Sequence, residues 1–487
     1  MFTADAPADL GARTRAPGLV IGVLAMAGMT VALMQTLLVP LIPDLPALLG
    51  VRAEDASWLI TITLLASAVA TPSISRLADM FGKRRMLLLS LSALFLGSVL
   101  GAFGTSLPLL ITARALQGFA FALIPVAMSI MRDELPRERL AAAVGLMSAT
   151  LGIGAAVGLP LAGFVFTHFG WHAIFWVSAA MAFMMLVAVS IVVPESPVRS
   201  GGRFDGLGAL LLSAGLVCVL LAITKGGHWG WTSPTTLGFL LASAVLLALW
   251  TPWELRNPQP IIDLRTTAHR PVLLTNVAAF LTGFAMLVNL ITTTQLLQAP
   301  EATGYGFGLS VMQAGLALLP AAVAMIVFAR ISALITRRFG ARLTLIAGAA
   351  VLATGYIGRM FLMDSELQVI LGAVFVSCGT ILSFAAMPVL IMGSVPLNET
   401  AAANGLYTVL RNIGTATASA AVAAILTTSV VSVGGSVFPS QAAFQQVYAL
   451  AALAALLGGA AALGIPRRGR DSTEVVDFAE VPEGVKA

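Results

Sequence analysis

Fourteen apolar runs, each long enough to cross a bilayer as a helix, follow one another along this chain of 487 residues. They fall at 18–42, 57–76, 86–105, 108–131, 140–166, 173–193, 205–224, 235–253, 271–297, 311–336, 343–363, 367–394, 402–430 and 444–465. About 20 residues of helix span the hydrocarbon core. Within that core only helices and closed barrels satisfy their own backbone groups. The runs are long and show no period-2 alternation, so helices are predicted and a barrel is not. Only 10% of the residues are charged, against about 25% in soluble domains. The fold class predicted is an all-α membrane protein, and a soluble enzyme is excluded.

Charge sets the topology. Of the 27 lysines and arginines, 21 lie on one side: before the first run, in every second connection and in the C-terminal tail. Three lie on the other side (Arg52, Lys225, Arg359) and three inside runs (Arg114, Arg330, Arg411). This bias predicts cytoplasmic N- and C-termini in a plasma (inner) membrane. Arginine outnumbers lysine 24 to 3, which points to a bacterium. The net charge of +5 thus orients the chain against lipid headgroups, not nucleic acid. Cys218 and Cys378 fall inside apolar runs, so no disulfide framework follows. His168 and His172 are spaced like metal ligands but have no further ligand nearby; neither metal nor cofactor is expected. The first run follows Arg13 and Arg15, continues through Pro40 and Pro43 and lacks a small-residue cleavage site. It reads as a retained span, not a signal peptide.

The chain also repeats itself. Residues 141–158 (AAAVGLMSATLGIGAAVG) match 401–418 (AAANGLYTVLRNIGTATA), and 77–84 match 335–342. Two similar six-helix halves explain both matches. The predicted organisation is an N-tail (1–17), a first bundle (18–196), two inserted transmembrane helices (204–253), a second bundle (271–465) and an acid-rich C-tail (466–487) expected to be disordered. Halves with a site at their interface are a recurrent transporter plan.

Four local patterns carry chemistry. After the second run, Ser75-Arg76-Leu77-Ala78-Asp79-Met80-Phe81-Gly82-Lys83-Arg84-Arg85 pairs a turn glycine with three cations that face the anionic inner leaflet. Its acid, Asp79, needs a partner, and a helix N-terminus with free N–H groups is a natural one. In the fourth run, Arg114 lies about five residues in, with Gln117 on the same face one turn on; an arginine there is costly unless paired or hydrated. In the fifth, Gly154 and Gly158 stand four apart and let another backbone approach. Pro160 follows and should bend the helix, and Gly163 completes the small-residue stripe. In the thirteenth, Arg411 lies roughly 15 Å deep. It faces a cavity or an acid, holding an anionic substrate group or balancing a carboxylate, or it joins a lattice of helix–helix hydrogen bonds. Arg330 is placed to snorkel. No Asp or Glu sits in the middle of any run.

The first pattern resembles the loop signature of the major facilitator superfamily, G-x-L-x-D-r-x-G-r-k, with Ser75 at the leading glycine. The Arg114 and Gly154–Gly163 stretches resemble two further signatures of that superfamily, the second with Leu159 inserted and Ala162 in place of a glycine. Fourteen runs resemble its drug:proton antiporter branch. The resemblance implies a major facilitator fold of two pseudo-symmetric six-helix bundles plus two extra central helices. It implies that Asp79 locks the outward-open state at the N-terminus of the thirteenth helix, with Asn398 or Thr400 as cap. It implies that Lys83 pairs with Asp133, that Arg114 takes part in proton transfer, and that Gly154, Gly158, Pro160 and Gly163 close the fifth helix on a partner. The chain departs from the branch in its first helix, where Met34 stands at the usual acid. The nearest acid there is Asp44, so Asp44, or Asp79 or Asp133 with Arg114, are the candidate proton carriers.

Soft, aromatic and amide side chains make adaptable binding surfaces. The cavity candidates are Met34, Gln35, Trp58, Gln117, Phe121, Met286, Asn289, Gln295 and Tyr407, with Arg411. The expected function is secondary active transport by a monomer whose partners are a small-molecule substrate, protons and the lipid bilayer. One reading is proton-coupled export of amphipathic drugs or antibiotic-like compounds by alternating access. The other is export of a specific physiological solute (a lipid, siderophore or secondary metabolite) with non-proton or atypical coupling, which Met34 and Arg411 favour.

Overall fold

Charged and turn residues cut the apolar sequence into fourteen long helices. The computed structural model describes residues 17–38, 41, 45–433 and 436–466. Asp44, Pro40, Pro43, Arg13, Arg15 and residues 467–487 lie outside the described residues. The helices are α1 (Pro17–Leu37), α2 (Trp58–Phe81), α3 (Lys83–Ala102), α4 (Leu107–Glu134), α5 (Arg137–Phe169), α6 (His172–Val192), α7 (Gly206–Trp229), α8 (Pro234–Arg256), α9 (Arg270–Gln298), α10 (Met312–Phe339), α11 (Ala341–Arg359), α12 (Glu366–Met392), α13 (Thr400–Leu426) and α14 (Gln441–Leu463). Thirteen helical segments among the described residues are long and apolar enough to cross a membrane. The remaining one of the fourteen, α5, has 33 residues and no charged side chain from 140 to 166.

Several boundaries differ from expectation for local reasons. The α2 helix runs on through Asp79 to Phe81, because the first backbone break is Gly82 at φ 123°. Asp79 therefore sits on a helix, not in a loop. The α4 helix tightens into a 3₁₀ turn at Phe119–Ala122 directly after Gly118. A Cβ on Gly118 would stand 2.7 Å from the Thr63 carbonyl of α2, so the close approach requires glycine. The thirteenth run ends at Leu426, and the residues beyond form a short antiparallel hairpin, β1 (Val430–Val433) with β2 (Ser436–Pro439). It is the one departure from all-helical structure among the described residues. The repeat is visible in the turns: Gly82 joins α2 to α3, and Gly340, at φ 87°, joins α10 to α11.

Two apolar cores form. One gathers side chains of α1 and α3–α6, including Leu24, Leu91, Met128, Met147 and Val189. The other gathers α9, α11, α12, α13 and α14, including Val288, Leu352, Val376, Val422 and Phe444. The halves meet along two seams. In one, α2 crosses α13, where a Cβ on Gly405 would stand 2.7 Å from Ser75 Oγ. In the other, α5 runs beside α10 and α12: Gly152 faces Met325, Gly315 faces Pro160, and Ser148 Oγ donates to the Phe384 carbonyl at 3.2 Å.

The inserted pair is central in sequence but peripheral in space. Helix α7 packs on α2 and α13 through Leu216 and Leu220 against Leu65, Val409 and Ala416. Helix α8 packs on α7, with Ser243 Oγ donating to the Gly215 carbonyl at 2.9 Å, and is only 17% buried across its apolar window. Two cations assigned to outer loops are instead helical and buried. Lys225 of α7 donates to Ser57 Oγ at 2.6 Å and lies 4.5 Å from the Trp58 ring centroid. Arg359 closes α11. Hydropathy alone misplaces such residues, because neighbouring helices supply the polar groups that a lipid cannot.

Within the small-residue stripe of α5, a Cβ on Gly154 would stand 2.8 Å from the Met29 carbonyl of α1, and one on Gly158 would overlap Thr36. Gly163 has open space around it, which removes it from the packing set. Gly154→Ala is expected to cost about 1–3 kcal/mol through forced displacement of α1. Gly163→Ala should be neutral or slightly stabilising, because alanine is the better helix former. Thermal unfolding of both variants in detergent checks the contrast.

Candidate functional site

At the face carrying the Lys83–Arg85 turn, the two halves are clamped together by a buried carboxylate. Asp79 is fully buried. Its Oδ1 accepts from the Ala401 N–H at 3.2 Å and its Oδ2 from the Ala402 N–H at 2.9 Å. These are among the first N–H groups of α13, which have no carbonyl partner inside their own helix. The end of a helix carries partial positive charge, so the carboxylate satisfies both needs. No capping side chain competes for α13: Thr400 is its first residue, and Thr400 Oγ1 donates back to the Leu397 carbonyl at 2.8 Å. Lys83 Nζ lies 3.9 Å from Asp79 Oδ1 and forms a buried ion pair with Asp133. Asp133 also accepts from Ser196 Oγ at 2.6 Å. Lys83 is therefore internal and does not face headgroups; of the three turn cations, Arg85 is the exposed one.

Two participants carry no sequence signature. Arg132, one residue before Asp133, reaches across to the carbonyls of Val395 and Pro396 at 2.9 and 3.2 Å and to Thr400 Oγ1. It had read only as part of the basic side. Glu195 accepts from the Arg84 N–H at 3.1 Å and lies against Gly82, so the glycine is needed for room as well as for its φ. Beside the clamp is a cavity of about 300 Å³ lined by residues of both halves, among them Arg76, Ser200, Asp263, Thr266, Glu399 and Ala402.

Arg114 lies deeper, on α4, and is buried without an acid. Its Nε donates to the Leu59 carbonyl at 3.2 Å and its Nη1 to Gln117 Oε1 at 2.7 Å. Gln117 passes the chain on, donating to Ser98 Oγ at 2.9 Å. The same Nη1 sits 3.3 Å from Met34 Sδ. The first-helix position where an acid was expected therefore touches this arginine, and a thioether fills the place of a carboxylate.

In the second half, Arg411 is buried on α13. Its guanidinium lies 5.3 Å from the Phe384 ring and 5.6 Å from the Tyr407 ring. Met286 packs in the same cluster as Phe384 and Tyr407. The remaining cavity candidates differ in their surroundings. Gln35 and Gln295 are exposed, Trp58 is half-buried under Lys225, and Phe121 belongs to the first apolar core. Asn289 is engaged: its Oδ1 accepts from Arg359, and its Nδ2 donates to the Ala373 carbonyl and Ser377 Oγ at 3.3 Å each. Arg359 also donates to Thr293 Oγ1 at 2.9 Å and to Tyr448 OH at 2.7 Å. Asn289 thus belongs to the solvation of a buried cation, which leaves it no free amide for a ligand.

Residues 24–419 match the family model described as Major Facilitator Superfamily. The Multidrug resistance protein Stp of Mycobacterium tuberculosis (strain CDC 1551 / Oshkosh) is 29% identical over 391 residues, covering 79% of this chain and 71% of Stp. The Tetracenomycin C resistance and export protein of Streptomyces glaucescens is 28% identical over 424 residues, covering 86% of this chain and 77% of its own. Among solved structures, the human organic anion transporter MFSD10 superposes with a TM-score of 0.63 at 15% identity, over 91% of this chain and all of that one. At that identity the likeness concerns the fold alone.

Two outcomes test the geometry. Asp79→Asn removes the charge from two hydrogen bonds that bridge the halves, each worth about 1.5–3 kcal/mol when charged. In a background lacking Cys218 and Cys378, Ala402→Cys should then react with a thiol reagent at least tenfold faster than with Asp79 intact. Met34→Asp should be tolerated, because Arg114 stands against it. The same substitution combined with Arg114→Ala strands a buried carboxylate and should cost about 3–5 kcal/mol, read as non-additivity in a thermal-unfolding cycle.

Proposed function

The chain belongs to the major facilitator superfamily, and from that premise we propose that it exports amphipathic, drug- or antibiotic-like compounds across a bacterial inner membrane. The basic face is cytoplasmic in this reading, as the lysine and arginine bias requires. The observation that carries the mechanism is the Asp79 clamp. It joins α2 of one half to the start of α13 in the other, and it holds the cytoplasmic end closed. Alternating access needs two states close in free energy. A latch of two charge-assisted hydrogen bonds with the Arg132 contacts is of a size that substrate binding can offset. The drug-export part rests on Stp and the tetracenomycin C exporter, which match most of the chain.

Protons are the proposed driving species. One proton crossing a potential of ~100 mV releases ~2.3 kcal/mol, enough to bias export more than tenfold. The candidate carrier is the Asp79–Lys83–Asp133 group, whose three ionisable side chains sit at 0–1% exposure and whose protonation would loosen the clamp. Met34 against Arg114 favours a second reading of the coupling, in which a specific physiological solute is exported without the first-helix proton site of the branch.

Deletion of the protein should raise cellular retention of amphipathic compounds, and unchanged retention of every compound tried would remove the export reading. In proteoliposomes under an imposed pH gradient, Asp79→Asn and Arg114→Ala should each lower coupled flux by tenfold or more. Flux that ignores the gradient in the intact protein would select the second reading.

A further inference from the structure

Arg411 is the buried cation that the protein leaves unanswered. It lies 11 residues into α13, about 16 Å along the axis, and is 6% exposed. The other deep arginines are met by oxygen acceptors: Arg114 by Leu59 and Gln117, and Arg359 by Asn289, Thr293 and Tyr448. Arg411 has two ring faces, Phe384 and Tyr407. The ion pairs among the described residues belong to Arg52, Lys83 and Arg85. No carboxylate is close in sequence either, since every Asp and Glu of α1–α14 lies within about one turn of a helix end. One turn below Arg411 on the same face, the buried Tyr407 hydroxyl lies toward the guanidinium and has no other polar partner.

A guanidinium at this depth costs several kcal/mol without an anion or water. A desolvated cation–π contact returns about 2. The residual demand is for negative charge, and the rings on either side suit a flat, apolar body. Met286, Met387 and Leu390 pack with Phe384 and Tyr407 and extend that apolar wall with soft side chains. A cationic compound meets the opposite conditions, since a positive wall with no acid repels it.

Building on the export reading above, we propose that the substrate is an aromatic organic anion, a carboxylate or an acidic phenol. Its charged oxygens take the Arg411 guanidinium, and its ring system lies on the partly exposed Met286 and Leu390 that pack on Phe384 and Tyr407. Arg114 adds positive potential from the first half, with its Nε and Nη1 held by Leu59 and Gln117, and the direct contact is assigned to Arg411.

Fluorescein and ethidium, flat probes of opposite charge, test this in proteoliposomes. The intact protein should move fluorescein at least tenfold faster than ethidium. Arg411→Gln should lower fluorescein flux tenfold or more, and Arg411→Lys should keep part of it. In detergent, fluorescein and not ethidium should raise the unfolding temperature of the intact protein, a readout that needs no variant to fold. Ethidium moving as fast as fluorescein, or fluorescein flux indifferent to Arg411→Gln, would overturn the anion assignment and leave export standing. Flux of neither probe, with no stabilisation by fluorescein, would overturn the anion assignment, whereas the export reading falls on the cellular retention test.

Discussion

The carboxylate of Asp79 and the two N–H groups it accepts from set how the halves of this protein meet. Neither party can be left alone. A helix start shut away from water has orphan donors, and a carboxylate there has lost its hydration. Each supplies what the other lacks, across the boundary between the halves. Lys83 and Asp133 bring the local charge close to balance, and Arg132 ties the α12–α13 turn to α4. All of these contacts lie at the ends of helices. Breaking them moves few backbone hydrogen bonds, as the proposed export cycle requires.

The latch exists once, although the sequence that builds it is duplicated. In the second copy the glycine of the turn survives as Gly340, with its positive φ, but Arg337 stands where Asp79 stands in the first. Arg337 is exposed. A cation cannot serve the positive end of a helix, so the α10–α11 turn makes no matching clamp on α5. The α5 seam relies on shape and a neutral hydrogen bond instead: Gly152 against Met325, Pro160 against Gly315, and Ser148 Oγ donating to the Phe384 carbonyl. The two halves share a backbone plan, and one of them carries the electrostatic lock.

Buried cations show how the protein holds charge in lipid with few acids. Arg114, Arg359 and Lys225 are solvated by carbonyls, amides, hydroxyls and ring faces from neighbouring helices. For Arg114 and Arg359, such neutral partners satisfy donors without creating an ion pair whose desolvation must also be met. The arrangement ties helices to one another. Arg359 links α11 to α9 and α14, and Lys225 anchors the inserted pair to the start of α2. Against that pattern Arg411, with two ring faces and the Tyr407 hydroxyl, stands apart.

Helix number, the membrane environment, the duplicated halves and the need of Asp79 for a helix start were legible in the residues; that the start is that of α13 was implied only by the family's signature. They depend on length, hydropathy and local charge, which lipid enforces without reference to the rest of the fold. The pairing of Lys83 with Asp133 was legible only through the family's signature. What the chain could not declare by itself was which polar groups face one another across helices. Arg132 and Arg359 looked like loop cations, Asn289 like a free amide and Gly163 like a packing glycine; their surroundings come from helices distant in sequence. Side-chain solvation in a membrane is supplied by neighbours, and only the tertiary structure chooses them.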